Sequence, residues 1–205
     1  MDFIQFINSF VALLVICNPL SVLPAVLRIT QHQTLAEKRR TGLVSAFAVL
    51  IILIGTTWVG SILLTILGIQ IAAFQVAGGL VILMMAFSML QAEESTIKQS
   101  PQEGVKRQDT GAIVPLAIPL IAGPGAMSEI IVKVSQFPGF LNLLIISAMS
   151  LLVSIVMGAL LYFASPLERL LGENRINVIN RIGGLILAAM AIQTIAKGIK
   201  GFMGS

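Results

Sequence analysis

Two proline-bracketed runs carry the strongest chemical signal in the chain: Pro19-Leu20-Ser21-Val22-Leu23-Pro24 and, 100 residues on, Pro119-Leu120-Ile121-Ala122-Gly123-Pro124. Proline removes a backbone donor and clashes with the preceding turn, so two in one apolar helix should kink or interrupt it. A helix that restarts past such a break offers unpaired N–H groups and the positive end of its dipole, which suit a carboxylate. The half before the break leaves loose carbonyls, which suit an ammonium. Together they fit a zwitterion such as a small amino acid, with side-chain oxygens from Asn18 and Ser21 at the first break and Ser128 after the second. The candidate binding residues are therefore Asn18, Pro19, Ser21, Pro119, Gly123, Pro124, Gly125 and Ser128. A single pair of prolines would read equally well as an ordinary kink; the matched second copy favours a site.

Glu129 is the only acidic residue well inside an apolar span, which makes it a candidate for coupling to a proton or for holding a substrate ammonium. Lys133 stands one turn further on, and an i,i+4 ion pair is the structural alternative. Gln75 and Gln193 are polar in otherwise apolar segments; lining a cavity and bonding another helix are both open to them. Other chemistries lack their residues. His32, the only histidine, lies in a basic loop, and Asp2 and Asp109 lie outside every span, so neither a histidine triad, a zinc site nor an aspartate dyad is available within the membrane. No Gly-rich nucleotide loop is present. No enzyme activity, cofactor or metal is expected.

The elements that must position these residues are membrane helices. Of 205 residues, 57% are hydrophobic and only 11% charged, against roughly a quarter charged in soluble domains. A bilayer core of about 30 Å needs about 20 apolar residues per helix. Six spans satisfy that: Phe3–Leu27, Thr41–Leu67, Ile69–Leu90, Gly111–Val134, Phe140–Ala164 and Val178–Lys197. Five of the eight prolines fall in spans 1 and 4. The amino terminus has no basic region or cleavage site and reads as a retained helix. Cys17 reads as a small apolar packing residue.

Two further echoes accompany the proline runs. Gly78-Gly79-Leu80 with Met85-Ala86 matches Gly183-Gly184-Leu185 with Met190-Ala191, and Leu67-Gly68 matches Leu171-Gly172. The expected organisation is one transmembrane domain over 1–205: repeat one at about 1–92, a cytoplasmic loop at about 93–110, and repeat two at about 111–205. Each repeat holds three spans, an odd number, so the second enters the membrane in the opposite sense. Inverted repeats with broken helices are the architecture of many secondary transporters. The paired glycines are expected to let helices 3 and 6 approach the broken helices closely.

The sequence pI near 9.6 would suggest nucleic acid in a soluble protein, but here the basic residues sort by loop. Arg28, Lys38, Arg39, Arg40, Lys98, Lys106, Arg107, Arg169, Arg175 and Arg181 fall on one side; Lys133, Lys197 and Lys200 fall on the other. The positive-inside rule places both termini outside the cytoplasm. The expected partners are the lipid bilayer and a small-molecule substrate, with no nucleic acid.

The Asn18-Pro19-Leu20 break, the run from Pro115 to Gly125 and the Gly183-Gly184-Leu185 helix together resemble the MarC family of bacterial and archaeal inner-membrane proteins, over essentially the whole chain. The resemblance implies a transporter of small neutral amino acids such as alanine and glycine, acting as an exporter or proton-coupled carrier. At Glu129 the family pattern leads one to expect a small or hydroxyl residue, so any role of this carboxylate is particular to this chain. The sequence-based expectation is an all-α integral membrane protein of six helices, with substrate bound at facing breaks of helices 1 and 4. The alternatives are a channel for small solutes or ions and a non-transporting membrane scaffold.

Overall fold

The structure, a computed structural model, describes residues 1–18, 26, 30, 33–91 and 122–203. Among the described residues there are six helices and no strand: α1 (Phe3–Cys17), α2 (Leu35–Ile66), α3 (Ile71–Leu90), α4 (Pro124–Gln136), α5 (Phe140–Tyr162) and α6 (Ala164–Met203). Four segments are long and apolar enough to cross a membrane: α2, α3, α5 and Val178–Met203 of α6. The bundle interior is aliphatic, with Leu13, Leu53, Ile82, Ile130, Ile146, Met149, Met157 and Leu187 almost fully buried. Its outside is aliphatic too: Phe47, Ile62, Met84 and Leu185 are all more than half exposed. Helices apolar on every face belong in lipid.

Helix lengths depart from the expected spans in two ways. At 1.5 Å per residue, α2 is roughly 48 Å long and α6 roughly 60 Å, so both outrun the hydrocarbon core. The α6 span was expected to start at Val178, yet the helix begins at Ala164, directly after Phe163. A polar amphipathic extension is invisible to a search for apolar runs, and Pro166 is tolerated because it falls in the first turn. Conversely, α1 has 15 residues and α4 has 13. Most of the rest of those two expected spans, 19–25 and 111–121, lies outside the described residues.

Packing is antiparallel and very close along two seams. On α3, a Cβ added at Gly79 would lie 3.2 Å from the Ala191 carbonyl oxygen of α6; on α6, one added at Gly184 would lie 3.1 Å from the Ala86 carbonyl oxygen of α3. Residues 79 and 86 become 184 and 191 under one shift of 105 positions, so these two contacts are exchanged images of each other. The α2/α5 seam is similar: Gly42 abuts Leu161, and Gly158 abuts Ala46. Contacts between α3 and α4 have a counterpart between α6 and α1, and those between α2 and α4 a counterpart between α5 and α1.

The glycine pairs divide their work. Gly78 admits α4, since a Cβ there would overlap the Ser128 side chain, while Gly79 admits α6. Gly183 and Gly184, expected to serve a broken helix, instead pack on Met89, Ala86 and Leu90 of α3. The 40-residue α6 lies along α3, and that long seam takes the glycine face.

Candidate functional site

Helix α1 stops at Cys17 because Asn18 takes the left-handed conformation (φ 41°, ψ 66°), the only positive φ at a non-glycine among the described residues. Asparagine is one of the few side chains that tolerates it. The Asn18 N–H donates to the Leu14 carbonyl at 3.0 Å, closing the last turn. Its side-chain Nδ2 donates to the Met89 sulfur of α3 at 2.8 Å. Asn18 is thus a helix terminator tied sideways to α3.

Helix α4 starts as a proline-led helix should. Pro124 occupies the first helical position, where its missing N–H is no loss, and Gly123 precedes it in extended backbone. The Gly123 carbonyl accepts from Ala126 N at 3.0 Å and Met127 N at 3.2 Å. Gly123 contributes no side chain to cap the one N–H of the first turn that remains, that of Gly125. Next along, Gly125 is wedged into the core: a Cβ there would lie 2.7 Å from Ile82 Cγ1 and 3.5 Å from Ile16 Cγ2. The end of α1 and the start of α4 therefore meet inside the bundle, over Ile82 of α3.

Of the expected site, this junction includes Gly125, packed against Ile16, with Gly123 two residues before it and Asn18 two residues after Ile16 along their helices. Pro124 is exposed while Gly123 and Gly125 are buried, so its ring turns away from the interior that the sequence had given it. Ser128 is buried and donates to the Phe74 carbonyl at 3.3 Å while pressed against Gly78. It joins α4 to α3 at the helix seam. Pro19, Ser21 and Pro119 lie outside the described residues.

On the side of the bundle that carries the chain termini, a polar cavity of about 360 Å³ opens between four helices. Gln5, Asn8 and Ser9 of α1 line one wall and Gln75 of α3 another. Glu129 and Lys133 of α4 face Gln193, Thr194 and Lys197 of α6. The volume lies in the usual range for small-molecule sites, roughly 300–1,000 Å³. Glu129 and Lys133 form the ion pair that their spacing allows, at 3.7 Å, with only 12% and 21% of their side chains exposed. Gln75 is 9% exposed. Thr194 donates to the Met190 carbonyl at 2.8 Å, which leaves its oxygen able to accept from the cavity. Counting charges, the cavity holds one carboxylate and two ammonium groups, an excess of positive charge.

Glu129, Lys133, Gln75 and Gln193 stood out in the sequence as polar positions in apolar spans, and the cavity assembles all four. Gln5, Asn8, Ser9, Thr194 and Lys197 did not. Their signal was present as a polar stripe at helical spacing, Gln5, Asn8 and Ser9 on one face of an otherwise apolar helix.

An all-helical bundle, apolar outside and polar in one interior cavity, is a multi-pass integral membrane protein. The chain matches the model of the MarC family integral membrane protein over residues 3–203, and it belongs to that family. It is 36% identical over 203 residues to the UPF0056 membrane protein YhcE of Escherichia coli K12, covering 98% of this chain and 94% of that one. It is 31% identical over 206 residues to a UPF0056 membrane protein of Aquifex aeolicus, covering 98% and 94%. With the UPF0056 inner membrane protein MarC of Citrobacter koseri it shares 31% over 203 residues, covering 93% and 92%. No solved structure matches it.

Proposed function

We propose that this chain is a secondary transporter of small neutral amino acids such as alanine and glycine, built from two inverted three-helix repeats and sited in the cytoplasmic membrane with both termini outside. The carrying observation is the meeting of the α1 end and the α4 start at Gly125 and Ile16, beside a polar cavity walled by the same two helices. The repeat reading is supported by the exchanged contacts of Gly79 with Ala191 and Gly184 with Ala86, which a two-fold axis in the membrane plane would generate.

In this reading the solute enters the polar cavity. Its carboxylate is drawn by the excess of ammonium groups, and its own ammonium by Glu129 and the amide oxygens. It then moves to the junction, where the Gly125 N–H and the positive end of the α4 dipole face the carboxylate. The residues proposed to bind it are Asn18, Gly123 and Gly125, together with Pro19, Ser21 and Pro119 of the same sequence runs, and Glu129 couples its passage to a proton. The close packing of Ile16, Ile82 and Gly125 then acts as a closed gate, which rocking of the repeats would part.

The test is flux in proteoliposomes. Labelled alanine or glycine should be taken up saturably and should exchange against unlabelled amino acid on the other side. Absence of movement in either direction, under any imposed pH gradient, would reject the substrate class; non-saturating flux with single-channel current would make the protein a pore.

A further inference from the structure

We propose that the groove between α2 and α5 binds an anionic phospholipid, with Arg39 on the headgroup phosphate and one acyl chain lying along the groove. The groove has a volume of about 440 Å³ and is walled by side chains such as Leu43, Phe47 and Leu50 of α2 and Leu151, Ile155 and Ala159 of α5. Its helices meet at Gly42 against Leu161 and Ala46 against Gly158. Small residues there bring the two backbones together and leave the larger side chains as flanking walls.

One end of the groove carries a cation. Arg39 lies one turn before Leu43 on the same face of α2, and its guanidinium sits 4.7 Å from the ring centroid of Tyr162, which itself lines the groove. Arg39 is half-buried, its Nε is buried with no hydrogen-bond partner among the described residues, and no described carboxylate pairs with it. A partly desolvated guanidinium without an acid is unfavourable. Stacking on Tyr162 fixes its plane, and a fixed guanidinium suits bidentate bonding to a phosphate. Chain and charge lie in the order that a phospholipid presents: apolar groove, then aromatic ring, then cation.

The full chain in detergent would be offered phosphatidylglycerol and phosphatidylcholine with identical acyl chains, in equal amounts, and the bound lipid read by native mass spectrometry. The expected result is retention of phosphatidylglycerol about fivefold over phosphatidylcholine, the preference that one basic residue gives at an anionic surface. Arg39→Gln should erase the preference, and Arg40→Gln, off the groove face, should keep it. Ala159→Trp should fill the groove and release both lipids; it also reads the groove if Arg39→Gln does not purify as a folded chain. Inorganic phosphate should not displace the lipid. Equal retention of the two lipids, a preference that survives Arg39→Gln, lipid retained by Ala159→Trp, displacement by phosphate alone, or a doubled mass without lipid would each overturn the proposal.

Discussion

The two regions where α1 and α4 meet the rest of the bundle are made of opposite materials. At the junction, two helix ends are held by Ile16, Ile82 and the missing side chain of Gly125, with no charged group among these described residues. In the cavity, the same two helices and α3 and α6 contribute amides, hydroxyls and three charged groups. One region is tightly packed and apolar; the other is open and polar. The difference teaches that backbone signals and side-chain signals mark different places: glycines mark where helices pack closest, while Gln, Glu and Lys mark the polar cavity, and in the proposed transport cycle these would be gate and entry.

The largest effect should come from filling the junction. Gly125→Val adds atoms where even a Cβ meets Ile82 at 2.7 Å. Overpacking of this kind costs about 1–3 kcal/mol, so the helical fold should survive, with a lowered melting temperature by circular dichroism, while amino acid flux falls to the level of empty liposomes. Unchanged flux would show that no solute passes between α1 and α4, and would move the route elsewhere.

A smaller effect is expected in the cavity. Lys197→Gln removes an exposed cation that faces the Glu129–Lys133 pair across the opening. Losing a solvent-screened ion pair to a carboxylate, worth up to about 1 kcal/mol, should raise the half-saturating amino acid concentration by up to about fivefold. The maximal rate should change little. Glu129→Gln separates coupling from architecture: as a structural ion pair it would cost at most about 1 kcal/mol, whereas a coupling acid would lose the pH dependence of transport. An unchanged pH profile would leave Glu129 as the partner of Lys133 alone.

The α3/α4 seam gives a third effect, on stability. Gly78→Ala overlaps Ser128 and should lower stability by about 1–3 kcal/mol. Ser128→Gly in the same chain should restore much of the loss, because the overlap is with that side chain. A double variant no better than Gly78→Ala would mean that the seam yields by backbone movement and that Ser128 is not what limits it.

Much of this was legible in the sequence because the signals were local. Apolar runs of span length marked α2, α3 and α5, and i,i+4 spacing gave the Glu129–Lys133 pair. The repeat offset of 105 gave the correspondence of Gly79 with Gly184, though not that both glycines would serve the same seam. The cavity was harder. Its walls come from helices separated by more than a hundred residues, and nothing local tells that Gln5 of α1 and Lys197 of α6 line one space. Ser128's packing was hidden for a related reason: a hydroxyl near a break reads as a ligand, and nothing local tells that it also lies against Gly78 in a seam where it donates to the Phe74 carbonyl.

The smallest effect concerns Asn18, on which the backbone and side-chain readings disagree. As a substrate ligand its amide matters; as a terminator of α1 only its tolerance of φ 41° matters. Glycine adopts that conformation freely, while alanine pays about 1–2 kcal/mol for it. If Asn18 is a terminator, Asn18→Gly should melt near the wild-type temperature and transport at near its rate, and Asn18→Ala should be the less stable of the two. If it is a ligand, both variants should lose affinity equally, whatever their stabilities. The hydrogen bond to Met89 at 2.8 Å is lost in both variants alike, so it does not affect the comparison between them. The order of the two variants, not the size of either effect, therefore decides between the roles.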